Sequence, residues 1–245
     1  MKRTCCLMKI DTKFFLIFIM SAVFSWQLLN IWESHDYLAL YKGLPLYLDY
    51  IKIPVYYFWF ACISFYFVGV IEDYLSGYGV LLIVRNYSLP KLVLRLFSKV
   101  FIELNAIVSF QFVIYIFISV ITKKSILEFS MIEFIKSYII YILTIYLLIL
   151  IQLLLEMYVK AQVAMLITNV YAVSSILIGS MLFEIEKGYI FLYLLIPNFA
   201  MAARTTIFNQ NSFSIYLPSV IVLISIIISG IIFVSIEKIK IKDIF

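Results

Sequence analysis

Ser137-Tyr138-Ile139-Ile140-Tyr141-Ile142-Leu143-Thr144-Ile145-Tyr146-Leu147-Leu148-Ile149-Leu150-Ile151-Gln152-Leu153-Leu154-Leu155 contains no Asp, Glu, Lys or Arg, and is bounded by Lys136 and Glu156. A helix rises about 1.5 Å per residue, so a run of roughly 20 residues matches a hydrocarbon core of about 30 Å. The run shows no alternation of period two, which excludes a strand of a membrane barrel. Five further uncharged apolar runs flank it: Phe14–Trp32, Ile53–Ile71, Leu104–Thr122, Ala161–Phe183 and Thr205–Ile236. The pattern predicts an all-α membrane protein of six transmembrane helices, with residues 1–245 forming one membrane domain.

Composition points the same way. Of 245 residues, 65% are hydrophobic and 13% charged, whereas a soluble domain carries about 25% charged residues. Mean hydropathy is +1.09. The net charge of +5 matters through its placement and does not point to nucleic acid. With a cytoplasmic N-terminus, the inner side holds Lys2, Arg3, Lys9, Lys13, Arg85, Lys91, Arg95, Lys99, Lys160, Lys238, Lys240 and Lys242, twelve of the 19 basic residues. The outer side holds Lys42, Lys52, Lys123, Lys124, Lys136, Lys187 and Arg204. Lys and Arg concentrate in cytoplasmic loops, so both termini are expected inside; an even number of spans requires them on one side. Cys5, Cys6 and Cys62 give neither a disulfide framework nor metal-ligand spacing. The adjacent pair near a basic N-terminus reads as acylation sites or as ordinary thiols.

Along the chain, residues 1–13 form a basic segment able to lie in the plane of the inner surface. The first apolar run continues through Trp26 and Trp32, too long for a secretion-signal core, and so reads as a span. Pro54 opens the second run, where its missing N–H costs little. The most informative polar stretch is residues 72–99. Lys91, Arg95 and Lys99 recur there at i, i+4 and i+8, on one helix face. The stretch reads as a short helix, a polar turn around Arg85-Asn86-Tyr87-Ser88, and a second helix running into the third span. Two roles fit it: a basic loop at anionic lipid, or a docking element for a cytoplasmic partner. Glu103 is placed to pair with Lys99, and Glu156 with Lys160, as interfacial anchors. The short link after Glu156 makes spans four and five a hairpin. Gly188–Ala203 is apolar but too short for a comfortable crossing, and it contains Pro197 and Asn198 and ends at Arg204. Residues 188–208 are therefore expected as re-entrant or surface helices on the outer face, followed by a last span over Phe213–Ile236.

Several chemistries find no residues to carry them. His35 is the one histidine, so no metal site is expected. No HExxH, GxSxG or GxxxxGK[ST] pattern occurs, so the chain is expected not to be an enzyme and to bind no cofactor itself. No ionisable group falls in the middle of a run, where an ion-coupled transporter needs one. Gln111, Gln152, Gln162 and Asn169 are left as polar groups within runs. Amides there bond between helices or line a transport path, and the sequence leaves both open.

The stretch Tyr78-Gly79-Val80-Leu81-Leu82-Ile83-Val84-Arg85-Asn86-Tyr87-Ser88 places a Tyr/Gly pair before an apolar run, an arginine and a polar turn. With the order of runs, the basic N-terminal segment, and Leu194, Ile196, Pro197, Asn198 and Phe199 before the last span, it resembles the permease subunits of type-2 ABC transporters. The likeness is to the small bacterial kind associated with peptide or bacteriocin export and self-immunity. The resemblance implies a multi-pass subunit of the bacterial cytoplasmic membrane that forms the path for an amphipathic or apolar cargo, peptide favoured. It implies pairing with a second permease subunit, as a homo- or heterodimer, and docking of a separate cytoplasmic ATPase that holds ATP and Mg. Arg85, Asn86, Tyr87, Ser88, Lys91 and Arg95 would couple to that ATPase. Gln111, Gln152 and Asn169 would line the path, and Pro197, Asn198 and Arg204 would belong to the re-entrant hairpin. The alternative function is a non-transporting membrane sensor, regulator or assembly protein that binds partners through the same basic loop.

Overall fold

The computed structural model describes residues 12–31, 39–44, 52–74, 89–122, 130–183, 194–204 and 216–242. Within them the ordered elements are helical. They are α1 (Thr12–Ile31), α2 (Ala39–Lys42), α3 (Lys52–Tyr66), α4 (Val70–Tyr74), α5 (Leu89–Ile121), α6 (Met131–Glu156), α7 (Ala161–Phe183) and α8 (Tyr216–Lys242). Two 3₁₀ turns, Ile196–Ala200 and Ala202–Arg204, precede α8. Four stretches are long and apolar enough to cross a membrane: Lys52–Glu72, Pro90–Ile121, Met131–Glu156 and Ala161–Leu182. Two shorter apolar helical stretches, Phe15–Asn30 and Ser219–Ser235, lie in α1 and α8.

The run quoted first forms the centre of the molecule. Of the most apolar window of α6, 67% is buried, against 33% for α5. Residues Ile140 to Ile142 and Thr144 to Leu150 are covered on every side of the helix, which only an interior helix requires. α6 packs against α3, α5, α7, α8, α2, α4 and the first 3₁₀ turn. α1 closes the flank by packing on α3 and α5, while α3 also meets α7 and α5 meets α8. The outward faces remain apolar. Leu223, Ile224, Ile227, Ile228, Ile231 and Ile232 are exposed along α8, as are Leu94, Ile102, Val113, Phe117 and Val120 along α5. Soluble monomers rarely present continuous apolar faces of this extent, so the surface suits hydrocarbon.

Two local features set up the polar sites. First, α5 is one helix of 33 residues. The segment after Ser88 does run into the third apolar run, because Leu92, Val93, Leu96, Phe97 and Val100 continue the buried stripe of Leu104, Ile107 and Val108 at helical spacing. Second, α3 stops at Tyr66 and α4 starts at Val70. Between them Phe67 and Val68 turn by N–H bonds to Ile63 and Phe65, and Gly69 adopts φ +80°, a region other L-residues enter at a cost.

At the far end of α6, Met157 N–H bonds the Leu154 carbonyl and Tyr158 N–H bonds that of Leu155, tightening the last turn. The Lys160 carbonyl then accepts from Val163 and Ala164 to start α7. This turn breaks the i, i+4 geometry expected between Glu156 and Lys160. Glu156 instead accepts from Gly69 and Gln152. The Lys99–Glu103 pair forms at 3.8 Å.

Candidate functional site

Two buried polar clusters lie at opposite ends of the bundle. In the first, α3 contributes Ser64, α6 contributes Gln152 and Glu156 one turn apart, and α7 contributes Asn169. The Ser64 hydroxyl donates to Gln152 Oε1 at 2.6 Å and accepts from Asn169 Nδ2 at 2.8 Å. Gln152 Nε2 donates to the Ser64 carbonyl at 3.1 Å and approaches Glu156 Oε1 at 3.4 Å. Asn169 Nδ2 also donates to the Met165 carbonyl of its own helix. Ser64 is thus the hub of three helices. The cluster extends to the α3–α4 break: Gly69 N–H donates to Glu156 Oε1 at 3.3 Å, and Lys13 Nζ of α1 donates to the Val68 carbonyl at 2.9 Å. Asn169 Oδ1 and Glu156 Oε2 are buried acceptors without a hydrogen-bond partner among the described residues.

The second cluster is built on Arg204, which is 1% exposed. Its Nε donates to the Leu44 carbonyl at 3.1 Å, Nη1 to the Ile176 carbonyl at 3.4 Å and to Asn198 Oδ1, and Nη2 to Ser180 Oγ at 3.0 Å. Asn198 Nδ2 donates in turn to the Ser175 and Leu195 carbonyls, each at 3.1 Å. One guanidinium therefore fastens the 3₁₀ turns to α7 and to the residue that follows Gly43. Gly179 makes the approach possible, since a Cβ there would lie 2.8 Å from Asn198 Nδ2 and 3.1 Å from Arg204 Nη1. Burial pulls the guanidinium down to about 10, and nearby Tyr56 pushes in the opposite direction. It stays protonated at neutral pH, and the fan of oxygen acceptors offsets its desolvation.

The structure brings some of the sequence-derived site residues together and separates others. Gln152 and Asn169 meet through Ser64. Gln111 shares no hydrogen bond with either. It is buried on α5, and neither its Nε2 nor its Oε1 has a hydrogen-bond partner among the described residues. Pro197, Asn198 and Arg204 are buried together. Lys91 and Arg95 are exposed on the first turns of α5. Arg85, Asn86, Tyr87 and Ser88 lie outside the described residues, as do residues 1–11 of the N-terminal segment and 188–193 and 205–208 of the expected hairpin. Ser64, Ser180 and the Leu44 carbonyl had no distinguishing mark in the sequence, where a serine in an apolar run reads as helix packing. Among the described residues, no three His, Cys, Asp or Glu side chains gather to hold a metal ion.

Fold and clusters together define a class: an all-helical protein with four helices fit to cross a bilayer, whose buried polar side chains tie helices and turns to one another. The chain belongs to the DUF2705 family, described as a protein of unknown function, which matches residues 5–245. It is similar to the uncharacterized protein YybK of Bacillus subtilis (strain 168), 27% identical over 237 residues that cover 93% of this chain and 94% of that protein. No solved structure matches it.

Proposed function

We propose that this chain is the membrane-spanning subunit of an ATP-driven exporter of the type-2 ABC kind. In this reading it crosses a bacterial cytoplasmic membrane six times, α1 and α8 supplying the first and last crossings, with both termini inside. It pairs with a second permease subunit and forms the path for an amphipathic or apolar cargo, peptide favoured. A separate cytoplasmic ATPase, holding ATP and Mg, docks on residues 72–99.

One observation supports this reading above the others. The helix that leads into residues 72–99 is broken at Phe67–Gly69, and the break is held by Glu156 of the central helix and Lys13 of α1. A displacement of α4 therefore acts directly on α6, the helix that touches most of the bundle. ATP binding that favours one docked state shifts the bundle only by its differential affinity for the two states, and this latch gives that difference a mechanical route. Asn169 Oδ1 and the Gln111 amide, buried without a hydrogen-bond partner among the described residues, support a path that polar atoms of a cargo or water enter.

The test is purification of the intact protein from its native membrane. The reading expects a cytoplasmic ATPase to co-purify, and Arg85→Glu or Arg95→Glu to release it. A preparation that never carries an ATPase, with recruitment indifferent to both reversals, overturns it. Cysteine labelling checks the topology independently: Ser34→Cys is expected to react from outside and Ser88→Cys only from inside.

A further inference from the structure

We propose that the groove between α5 and α8 is a binding site for one acyl chain of an anionic glycerophospholipid, whose headgroup rests on the cationic inner rim. The inference needs the bundle to stand in a bilayer, but it does not depend on the transport reading. The groove has a volume of about 440 Å³ and is walled by Val93, Leu94 and Phe97 of α5 and by Ile227, Ile231 and Val234 of α8. Sites that hold small ligands span roughly 300–1,000 Å³. It opens outward, since Leu94, Ile227 and Ile231 are among the most exposed apolar side chains.

The groove exists because residue 230 is glycine. Below it the ring of Phe97 meets Phe233 edge-on at 5.6 Å, and a Cβ on Gly230 would lie 3.6 Å from Phe97 Cε2. Any longer side chain there would occupy the slot. Ser235, the hydroxyl on its wall, is already turned to the Ile231 carbonyl at 2.9 Å. The slot thus offers dispersion and no polar recognition along its length, which describes a hydrocarbon chain.

Charge selects the headgroup. The slot reaches Pro90, in the first turn of α5. Lys91 and Arg95, both exposed, directly follow Pro90 and Leu94 and so stand around the helix on the rim. Cations clustered just beyond an apolar stretch attract anionic lipid. An amphiphile with its chain in the slot and its phosphate at the rim satisfies both ends at once.

The test uses the full-length chain in detergent, titrated with phosphatidylglycerol or phosphatidylcholine and read by native mass spectrometry. A single saturable phosphatidylglycerol adduct is expected, with phosphatidylcholine much weaker. Gly230→Trp is expected to abolish the adduct. Ile227→Trp fills the slot from an exposed wall position and is expected to do the same should Gly230→Trp fail to fold. Lys91→Gln and Arg95→Gln are each expected to weaken phosphatidylglycerol about fivefold and to leave phosphatidylcholine unchanged. Equal binding of the two lipids, or an adduct that survives slot filling in a folded variant, overturns the proposal. So does a wild-type dimer that Ile227→Trp turns into monomer, since a second copy would then be the occupant.

Discussion

Arg204 Nε donates to the carbonyl of Leu44 across 3.1 Å, joining residues 160 positions apart in the chain. This bond links the segment after α2 to the 3₁₀ turns before α8, two connections that share no secondary structure. Arg204→Met keeps much of the side-chain volume but leaves Leu44, Ile176, Asn198 and Ser180 short of a donor. Hydrogen bonds to a charged group contribute about 1.5–3 kcal/mol each, and the acceptors relax in part, so a loss of about 3 kcal/mol is expected. Arg204→Lys keeps the charge without the fork and is expected to fall between the two. Thermal unfolding in detergent measures this, and a melting temperature unmoved by Arg204→Met would refute the fastening role.

At the opposite end of the bundle the hub is a hydroxyl. Ser64→Ala removes the acceptor of Asn169 and the donor to Gln152 in one step. Hydrogen bonds between membrane helices average about 0.6 kcal/mol and reach about 1.7, so a cost of about 1–2 kcal/mol is expected. Asn169→Leu on the Ser64→Ala background is expected to add less than it does alone, because the shared bond is already gone. Strictly additive effects would show that the hydroxyl does not connect the two helices.

Gln111→Leu has the opposite expectation. Both polar atoms of the amide are buried without a hydrogen-bond partner among the described residues, and an unsatisfied buried group costs about 1–3 kcal/mol. Leucine, apolar and of comparable volume, should leave stability unchanged or raise it. In the transport reading, the same substitution should lower export while the protein melts no earlier. A marked destabilisation would mean that Gln111 is ordinary helix packing.

These sites show what could be learned from the chain alone. The helices were legible because the uncharged runs are long, and α5 could be followed back beyond its run because Lys91, Arg95 and Lys99 recur on one helix face. The amides Gln152 and Asn169 were visible as rare polar residues among Ile and Leu. Their meeting was not, because its connector is Ser64, and serine in an apolar run has no signature of its own. In the sequence Arg204 reads as an outer-loop cation closing a hairpin. Its burial depends on carbonyl acceptors from Leu44 and Ile176, and a carbonyl is common to every residue. The i, i+4 spacing predicts a Glu156–Lys160 pair, but the helix ends at Glu156 and the turn at Met157 takes Lys160 out of helical register.

Two glycines separate backbone conformation from space. Gly69 has φ +80° and no atom within 4 Å of an added Cβ, so Gly69→Ala carries only the left-handed penalty, about 1 kcal/mol. Gly69→Asn should recover part of it, since Asn enters that region more readily. Gly179 sits in a helix, and its added Cβ would meet Asn198 at 2.8 Å and Arg204 at 3.1 Å. Gly179→Ala should therefore lose more than Gly69→Ala, and most of the difference should vanish when Arg204 is already methionine. Unfolding of the single variants Gly69→Ala, Gly69→Asn, Gly179→Ala and Arg204→Met and of the Gly179/Arg204 double variant checks the ordering. A reversed ordering of Gly179→Ala and Gly69→Ala would exclude the packed contact.

The latch at the α3–α4 break gives the most direct test of mechanical coupling. Gln keeps an oxygen where Glu156 accepts the Gly69 N–H, so Glu156→Gln should preserve the turn, whereas Glu156→Leu removes the acceptor and leaves the amide bare. Hydrogen exchange at Gly69 and across Val70–Tyr74 should accelerate in Glu156→Leu and remain near wild type in Glu156→Gln, because exchange reports local opening free energy. Lys13→Met should accelerate the same residues, since it withdraws the donor to the Val68 carbonyl next door. If an ATPase docks on residues 72–99, its complex with Glu156→Leu should also hydrolyse ATP without matching export, the signature of an engine whose stroke no longer reaches α6. Unchanged exchange across Val70–Tyr74 in Glu156→Leu would show that α4 is held by something other than this carboxylate, and the route from the basic segment to the central helix would have to run elsewhere.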